Sequence, residues 1–169
     1  MCHEVDVCLD EGVSCAIGED ELVQVCELVL REEQVGRPCL VSVSVVGDDR
    51  MRELNDEWRG QDRVTDVLSL ECERPDDPDL APGEPCELGD IVLAPNYIAI
   101  QALGFGTTPA DETRLLLIHG MLHLLGYDHL DDDEAEVMEA REDELLEQVR
   151  TDRPIPHVTL TRHREGDEA

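Results

Sequence analysis

The sequence predicts an α+β fold: a single domain with a small mixed four-stranded sheet and about five helices. Three observations lead there. At 169 residues the chain can bury one substantial core. Its apolar periodicity runs in the order β α β α β β α α α, so strands and helices first alternate and helices then gather at the end. No internal repeat and no linker long enough to separate domains breaks that order. The domain is expected to span 1–150, with 151–169 a polar, flexible tail.

Taken in order, VDVCL (5–9) alternates as an edge or half-buried strand does. From Glu19 to Glu33, Leu22, Cys26, Val29 and Leu30 recur at helical spacing and predict an amphipathic helix. CLVSVSVVG (39–47) sets Val41, Val43 and Val45 against Ser42 and Ser44, a strand with one apolar face. Asp48 is placed to cap a short helix carrying MRELNDEW, with Met51, Leu54 and Trp58 on one side. VTDVLSLEC (64–72) and ELGDIVLA (87–94) read as two more strands, joined by the solvated, proline- and acid-rich loop ERPDDPDLAPGEP. APNYIAIQALG (94–104) reads as a helix stopped by Gly104.

The next helix has a clear start. Thr108 supplies a cap, Pro109 the first helical position, and Asp111 a carboxylate three residues after the cap. Its body, ETRLLLIHGMLHLL, is nearly all apolar, which predicts burial on every side. Gly126 stands where the helix must stop, because glycine adopts the left-handed stop conformation at low cost. DDDEAEVMEAREDELLEQV (131–149) then restarts as a helix with acids at its positive N-terminal end.

Bulk properties narrow the possible partners. Forty-two acids face thirteen bases, all of them arginine, for a formal net charge of −29. Such a surface repels nucleic acid, membranes and other copies of itself in dilute salt. Two contexts fit it: a salt-rich cytosol, where at ~1 M the screening length shrinks to about 3 Å, or an acidic protein of ordinary salt. The seven cysteines contain no CxxC pair and lie mostly in apolar patterns, so they read as small hydrophobes rather than disulfides or zinc ligands. No apolar run reaches the ~20 residues a membrane span needs, and the acidic N-terminus does not read as a signal peptide. A cytoplasmic location is expected.

The most informative stretch is HGMLHLLGYDH (119–129). On a helix His119 and His123 lie one turn apart on the same face, and the turn at Gly126 can swing His129 back toward them. Three imidazoles from a helix and a turn match an open zinc site, with a fourth position left for water. Ligation also removes the cost of burying unpartnered imidazoles. The predicted centre is zincin-like: the spacing fits the metzincin pattern H-E-x-x-H-x-x-G-x-x-H everywhere except at Gly120, which replaces the glutamate that serves as general base. That substitution argues against peptide hydrolysis. His3, His157 and His163 stand alone and read as surface residues.

Four blocks together resemble the YbeY endoribonucleases: LNDEWRGQDRVTDVLSLE (54–71), LGDIVLAP (88–95), LLLIHGMLHLLGYDH (115–129) and the acidic helix that follows. The resemblance implies a single-strand-specific, metal-dependent endoribonuclease acting in rRNA precursor processing, including small-subunit rRNA 3′-end maturation, and in ribosome quality control. It implies one Zn²⁺ per chain on His119, His123 and His129, a functional Arg59, and the TDVLS strand at Thr65–Ser69. It further implies rRNA precursor and ribosome or small-subunit proteins as partners, with no role for DNA or membranes. The chain departs from the family pattern at Leu70, usually phenylalanine, and in its lysine-free acidic surface. Zinc polarises a phosphoryl oxygen and acidifies water, and an arginine in the same groove holds phosphate. Five arginines (50, 52, 59, 63, 74) cluster with seven acids in one 25-residue stretch. Asp128 can orient a ligating imidazole, take a proton or cap a turn. The attacking group, activated water or the neighbouring 2′-OH, is left open.

Two other readings stand beside this one. A metal-dependent peptidase or amidase would need a base other than the one Gly120 lacks. A non-catalytic ribosome-associated zinc protein would need a fourth protein ligand, since structural zinc sites are usually closed. A general RNA-binding module fits less well: Trp58, Tyr97, Phe105 and Tyr127 are the only aromatics, too few for a stacking platform.

Overall fold

The computed structural model describes residues 2–149; the predicted tail, with His157 and His163, lies outside them. The elements follow the predicted order: β1 (Glu4–Leu9), α1 (Glu19–Glu32), β2 (Cys39–Val45), α2 (Asp48–Arg59), β3 (Val67–Glu71), β4 (Cys86–Leu93), α3 (Pro95–Phe105), α4 (Pro109–Leu124) and α5 (Asp132–Val149). The strands form one mixed sheet in the order β1-β2-β4-β3. β1 and β4 pair parallel to β2, and β3 closes the other edge antiparallel to β4.

Sequence alternation explains the sheet's position. In β2, Cys39, Val41, Val43 and Val45 are buried while the residues between them are half-buried. β1, on the edge, alternates exposed and half-buried residues. The valines of β2 join Val67, Ile91 and Leu93 on one face, and α1 and α4 pack there through residues such as Leu22, Val29, Leu115 and Ile118. A smaller cluster of Val46, Met51, Leu68, Val92 and Ala94 forms beneath α2.

Helix α4 is the central element, in contact with α1, α3, α5, β3 and β4. Its start is as expected: Thr108 Oγ1 accepts a hydrogen bond from Asp111 N at 3.1 Å, and Pro109 opens the helix. Burial on all sides requires its charged residues to find partners. Arg114, only 5% exposed, donates to Glu21 at 2.5 Å and to Asp111 at 2.6 Å. Removing one member of such a buried pair typically costs about 3–5 kcal/mol, because the other charge is stranded. These bonds tie the start of α4 to α1 and so fix the helix that carries the histidines.

Several boundaries differ from the sequence reading. α2 is preceded by Gly47 in extended conformation, with no side-chain cap; Asp48 is its first residue. α3 continues through Gly104 and stops at Gly106, whose φ of 72° closes the helix. β3 begins at Val67, because Asp66 turns inward instead. Its carboxylate accepts from Val67 N at 2.7 Å and from Gln101 Nε2 at 2.8 Å, and Gln101 Nε2 also reaches Glu112 at 2.9 Å. Trp58 leaves the packed side of α2 and is 59% exposed. Three cysteines (26, 39 and 86) are buried as expected, whereas Cys2, Cys8 and Cys72 are exposed; none is in a disulfide. His3 is half-buried and accepts from Cys39 N at 3.0 Å.

Candidate metal centre

His119 and His123 project from the last turns of α4. Beyond Leu124 the chain reverses in a Schellman arrangement: Tyr127 N donates to Leu122 O at 3.0 Å and Gly126 N to His123 O at 3.0 Å. Gly126 makes this possible with φ of 110°, a conformation costly for a residue with a side chain. A Cβ there would also lie 2.8 Å from Arg74 Nη1, whose guanidinium rests against the turn. The reversal returns His129 to the other two imidazoles, and Asp128 Oδ1 accepts from His129 N at 2.8 Å, holding the turn's exit.

The three rings converge. Their centroids are 4.7 Å apart for His119 and His123, 4.9 Å for His123 and His129, and 5.7 Å for His119 and His129. One ligand nitrogen from each lies within 4.8 Å of the others, so the group could hold a metal ion. It is the one such group of three or more metal-ligating side chains among the described residues. Burial and the adjacent imidazoles push the His123 pKa down to about 3, with Asp128 acting weakly in the opposite direction. His123 is therefore neutral, the form that binds metal.

Two carboxylates the sequence reading did not single out support these rings. His119 Nδ1 meets Glu142 Oε2 of α5 at 2.5 Å, leaving Nε2 as the ring's remaining nitrogen. Glu33, the C-cap of α1, accepts from Tyr127 OH at 2.7 Å and from Arg141 Nε at 2.5 Å. The turn carrying His129 is thus fastened to α1 and α5. A signal for Glu142 does exist in the sequence: it falls on the same stripe of α5 as buried Ala135, Met138, Leu145 and Leu146. The surrounding run of acids conceals it.

A cleft of about 210 Å³ opens over His119 and His123, lined also by Arg59, Val67, Ser69, Glu71 and Asp128. Arg59, the last residue of α2, thus lines the same cleft as two of the histidines. Glu71 on its rim pairs with Arg74 at 2.8 Å. Gly120 has a packing role: a Cβ there would approach Ser69 Oγ to 3.1 Å and two Ile91 carbons to 3.3 Å. A glutamate at 120 would meet β3 and β4, so the position the peptidases use for their base is occupied here by close helix–sheet packing.

A mixed-sheet α+β domain with three clustered imidazoles at the end of a buried helix and an arginine in the adjoining cleft defines a candidate metal-dependent hydrolase lacking the peptidase glutamate. The comparisons make this specific. The family model for Endoribonuclease YbeY matches residues 12–150. The Endoribonuclease YbeY of Micrococcus luteus is 40% identical over 161 residues, covering 92% of this chain and 98% of the relative. That of Chloroflexus aurantiacus is 39% identical over 149 residues, covering 86% and 95%. The solution structure of TM1509 from Thermotoga maritima superposes with a TM-score of 0.57 at 28% identity, covering 86% of this chain and 88% of that one. The chain belongs to the YbeY endoribonuclease family, whose named activity is RNA cleavage. Among the described residues no helix is long and apolar enough to cross a membrane.

Proposed function

We propose that this chain is a single-strand-specific endoribonuclease that uses one zinc ion on His119, His123 and His129 and acts on rRNA precursors in the cytoplasm, including the 3′ end of small-subunit rRNA, as part of ribosome maturation and quality control. The observation that carries this reading is the convergence of three imidazoles beside a cleft that also contains Arg59. The donor set fits zinc: three nitrogens, one of them held neutral, suit a borderline divalent ion. When bound, such an ion supplies Lewis acidity toward a phosphoryl oxygen and acidifies water.

The chain's own residues do the rest. Arg59 offers a planar fork to a phosphate in the cleft and stabilises charge that grows on its oxygens. With Glu71 paired to Arg74, the remaining charges lining the cleft, Arg59 and Asp128, offset one another. A divalent cation on the histidines would therefore supply the net attraction for phosphate, and RNA binding as well as cleavage is expected to depend on loading. The acidic remainder of the surface adds no further attraction, so substrate delivered by a ribosomal partner suits this protein better than capture of free RNA.

Cleavage of a precursor rRNA by the zinc-loaded protein, compared with its His123→Ala variant at low and molar salt, tests the proposal. Metal-dependent cutting in unpaired regions that disappears in the variant is expected; equal cutting by both would favour a non-catalytic zinc protein. A substrate with one deoxyribose at the cut site identifies the attacking group, because continued cleavage excludes the 2′-OH. Chelator-sensitive peptide turnover would revive the peptidase reading, against which the packing of Gly120 on Ser69 and Ile91 stands.

A further inference from the structure

We propose that Glu142 is the positioning residue of the metal centre, accepting the Nδ1 proton of His119 so that this imidazole presents Nε2 to the ion. The assignment rests on the metal-dependent reading above and names the residue of this chain that orients one of its ligands. Three observations support it.

The first is geometric. The contact joins Nδ1 of His119 to Oε2 of Glu142 at 2.5 Å, with side-chain exposures of 13% and 1%. With Nδ1 engaged, only Nε2 is left to ligate, and the carboxylate raises its basicity and stops the ring from rotating.

The second is the choice of partner. A carboxylate buried this deeply is costly unless it is paired. Two other inward acids of this chain pair with arginine, Asp111 with Arg114 and Glu33 with Arg141, and two more, Asp66 and Glu112, share the amide of Gln101. Arg141 is the residue next to Glu142, yet it turns away to Glu33 and to Glu32 O of α1. Glu142 Oε1 has no hydrogen-bond partner among the described residues. An available cation is directed elsewhere, and the acid faces a ring that belongs to the imidazole cluster. A divalent ion on the far side of that ring would supply the missing compensation.

The third is position. Glu142 occupies the buried stripe of α5 between Met138 and Leu145, a place for an apolar side chain in a purely structural helix. Helix α5 therefore contributes a polar group to the back of the centre, while α4 and its turn contribute the ligands.

The test is zinc affinity, measured by competition with a chromophoric chelator on the full chain, for Glu142→Ala, Glu142→Gln and the exposed control Glu144→Gln. Circular dichroism confirms folding, and nitrogen–proton NMR identifies which ring nitrogen of His119 carries hydrogen. Glu142→Ala is expected to weaken zinc binding by roughly 10–100-fold and to abolish the sheltered Nδ1–H signal. Glu142→Gln, which can still accept through its amide oxygen, is expected to lose less, and Glu144→Gln nothing. Zinc affinity within twofold of wild type in folded Glu142→Ala would overturn the assignment, as would a Nδ1-bound metal in the wild type. If the alanine variant does not fold, Glu142→Gln decides: unchanged affinity with an unchanged ring signal overturns it. A wild type that takes up no divalent metal overturns this assignment and the function reading together, whereas unchanged variants overturn this assignment alone.

Discussion

The two walls of the cleft are built in opposite ways. The histidine wall is a buried helix with a hydrogen-bonded turn, backed by carboxylates from other helices: Glu142 behind His119, and Glu33 holding Tyr127. The arginine wall is the last residue of α2, followed by the left-handed Gly60, on a helix whose neighbouring Trp58 is largely exposed. One wall is preorganised by packing on every side; the other carries a long side chain at a helix end. The difference assigns the work. Under the proposed function, ligands would have to be held in place before an ion arrives, whereas an arginine that holds phosphate would benefit from reach.

The largest expected effect comes from breaking the rigid wall. His123→Ala removes the central imidazole of the three and is expected to abolish stoichiometric zinc uptake and, with it, RNA cleavage. Metal analysis of the dialysed protein checks the first and gel assays the second. A variant that retains full zinc content would show that the three rings do not act as one site.

Breaking the other wall should separate chemistry from loading. Arg59→Ala is expected to lower the cleavage rate by about 10²–10³-fold, the range for loss of one charge-stabilising donor, while zinc affinity stays at the wild-type value. Arg59→Lys should recover only part of the loss, since an ammonium cannot grip phosphate with a planar fork. A drop in zinc content in either variant would mean that the two walls are not independent.

A smaller effect, specific to the histidine wall, should appear in the metal-free protein as pH falls. Unfolded His123 takes up a proton near the ordinary value of about 6.5, but folded His123 resists until about 3. Below about pH 6.5 the unfolded state therefore binds more protons, and this residue's contribution to stability falls as pH falls. Urea midpoints between pH 7.5 and 5.5 should decline in the wild type and decline less steeply in His123→Asn. Parallel profiles would show that His123 is not kept neutral by its surroundings.

The same contrast governs what the sequence reveals. The ligand wall is legible because its geometry is local: His119, His123, Gly126 and His129 lie within eleven residues, and helix spacing plus a Schellman stop converts that spacing into convergence. The order of strands and helices is legible for a related reason, as alternation in β2 and the apolar body of α4 declare their burial. Long-range pairings are not. Glu142 lies 23 residues from His119, and Glu33 lies 94 from Tyr127. The apolar stripe of α5 marks Glu142 as an inward acid, but no local pattern names the distant partner of any of the forty-two acids. The late start of β3 is hidden likewise, since one of the donors that meet the inward Asp66 is Gln101 of α3, 35 residues away. Arg59 is singled out in the sequence only through resemblance, and folding brings it to the cleft that His119 and His123 also line.

The smallest expected effect tests whether the rigidity of the histidine wall extends beyond the ligands themselves. Tyr127 sits between Gly126 and Asp128 in the turn, and its hydroxyl donates to Glu33 at 2.7 Å. Burial together with this carboxylate pushes the phenol's pKa up, so it remains a donor throughout the neutral range. Tyr127→Phe keeps the ring and deletes only that bond. Arg141 still satisfies the other oxygen of Glu33, so no charge is stranded and the stability loss should be about 1 kcal/mol. If the bond merely staples α4 to α1, the metal-free and zinc-loaded proteins will lose stability equally. If it holds the turn in the conformation that aims His129, the loaded protein will lose more, and zinc will dissociate a few-fold faster. Melting temperatures of both forms, measured side by side with zinc release to a chelator, distinguish these outcomes.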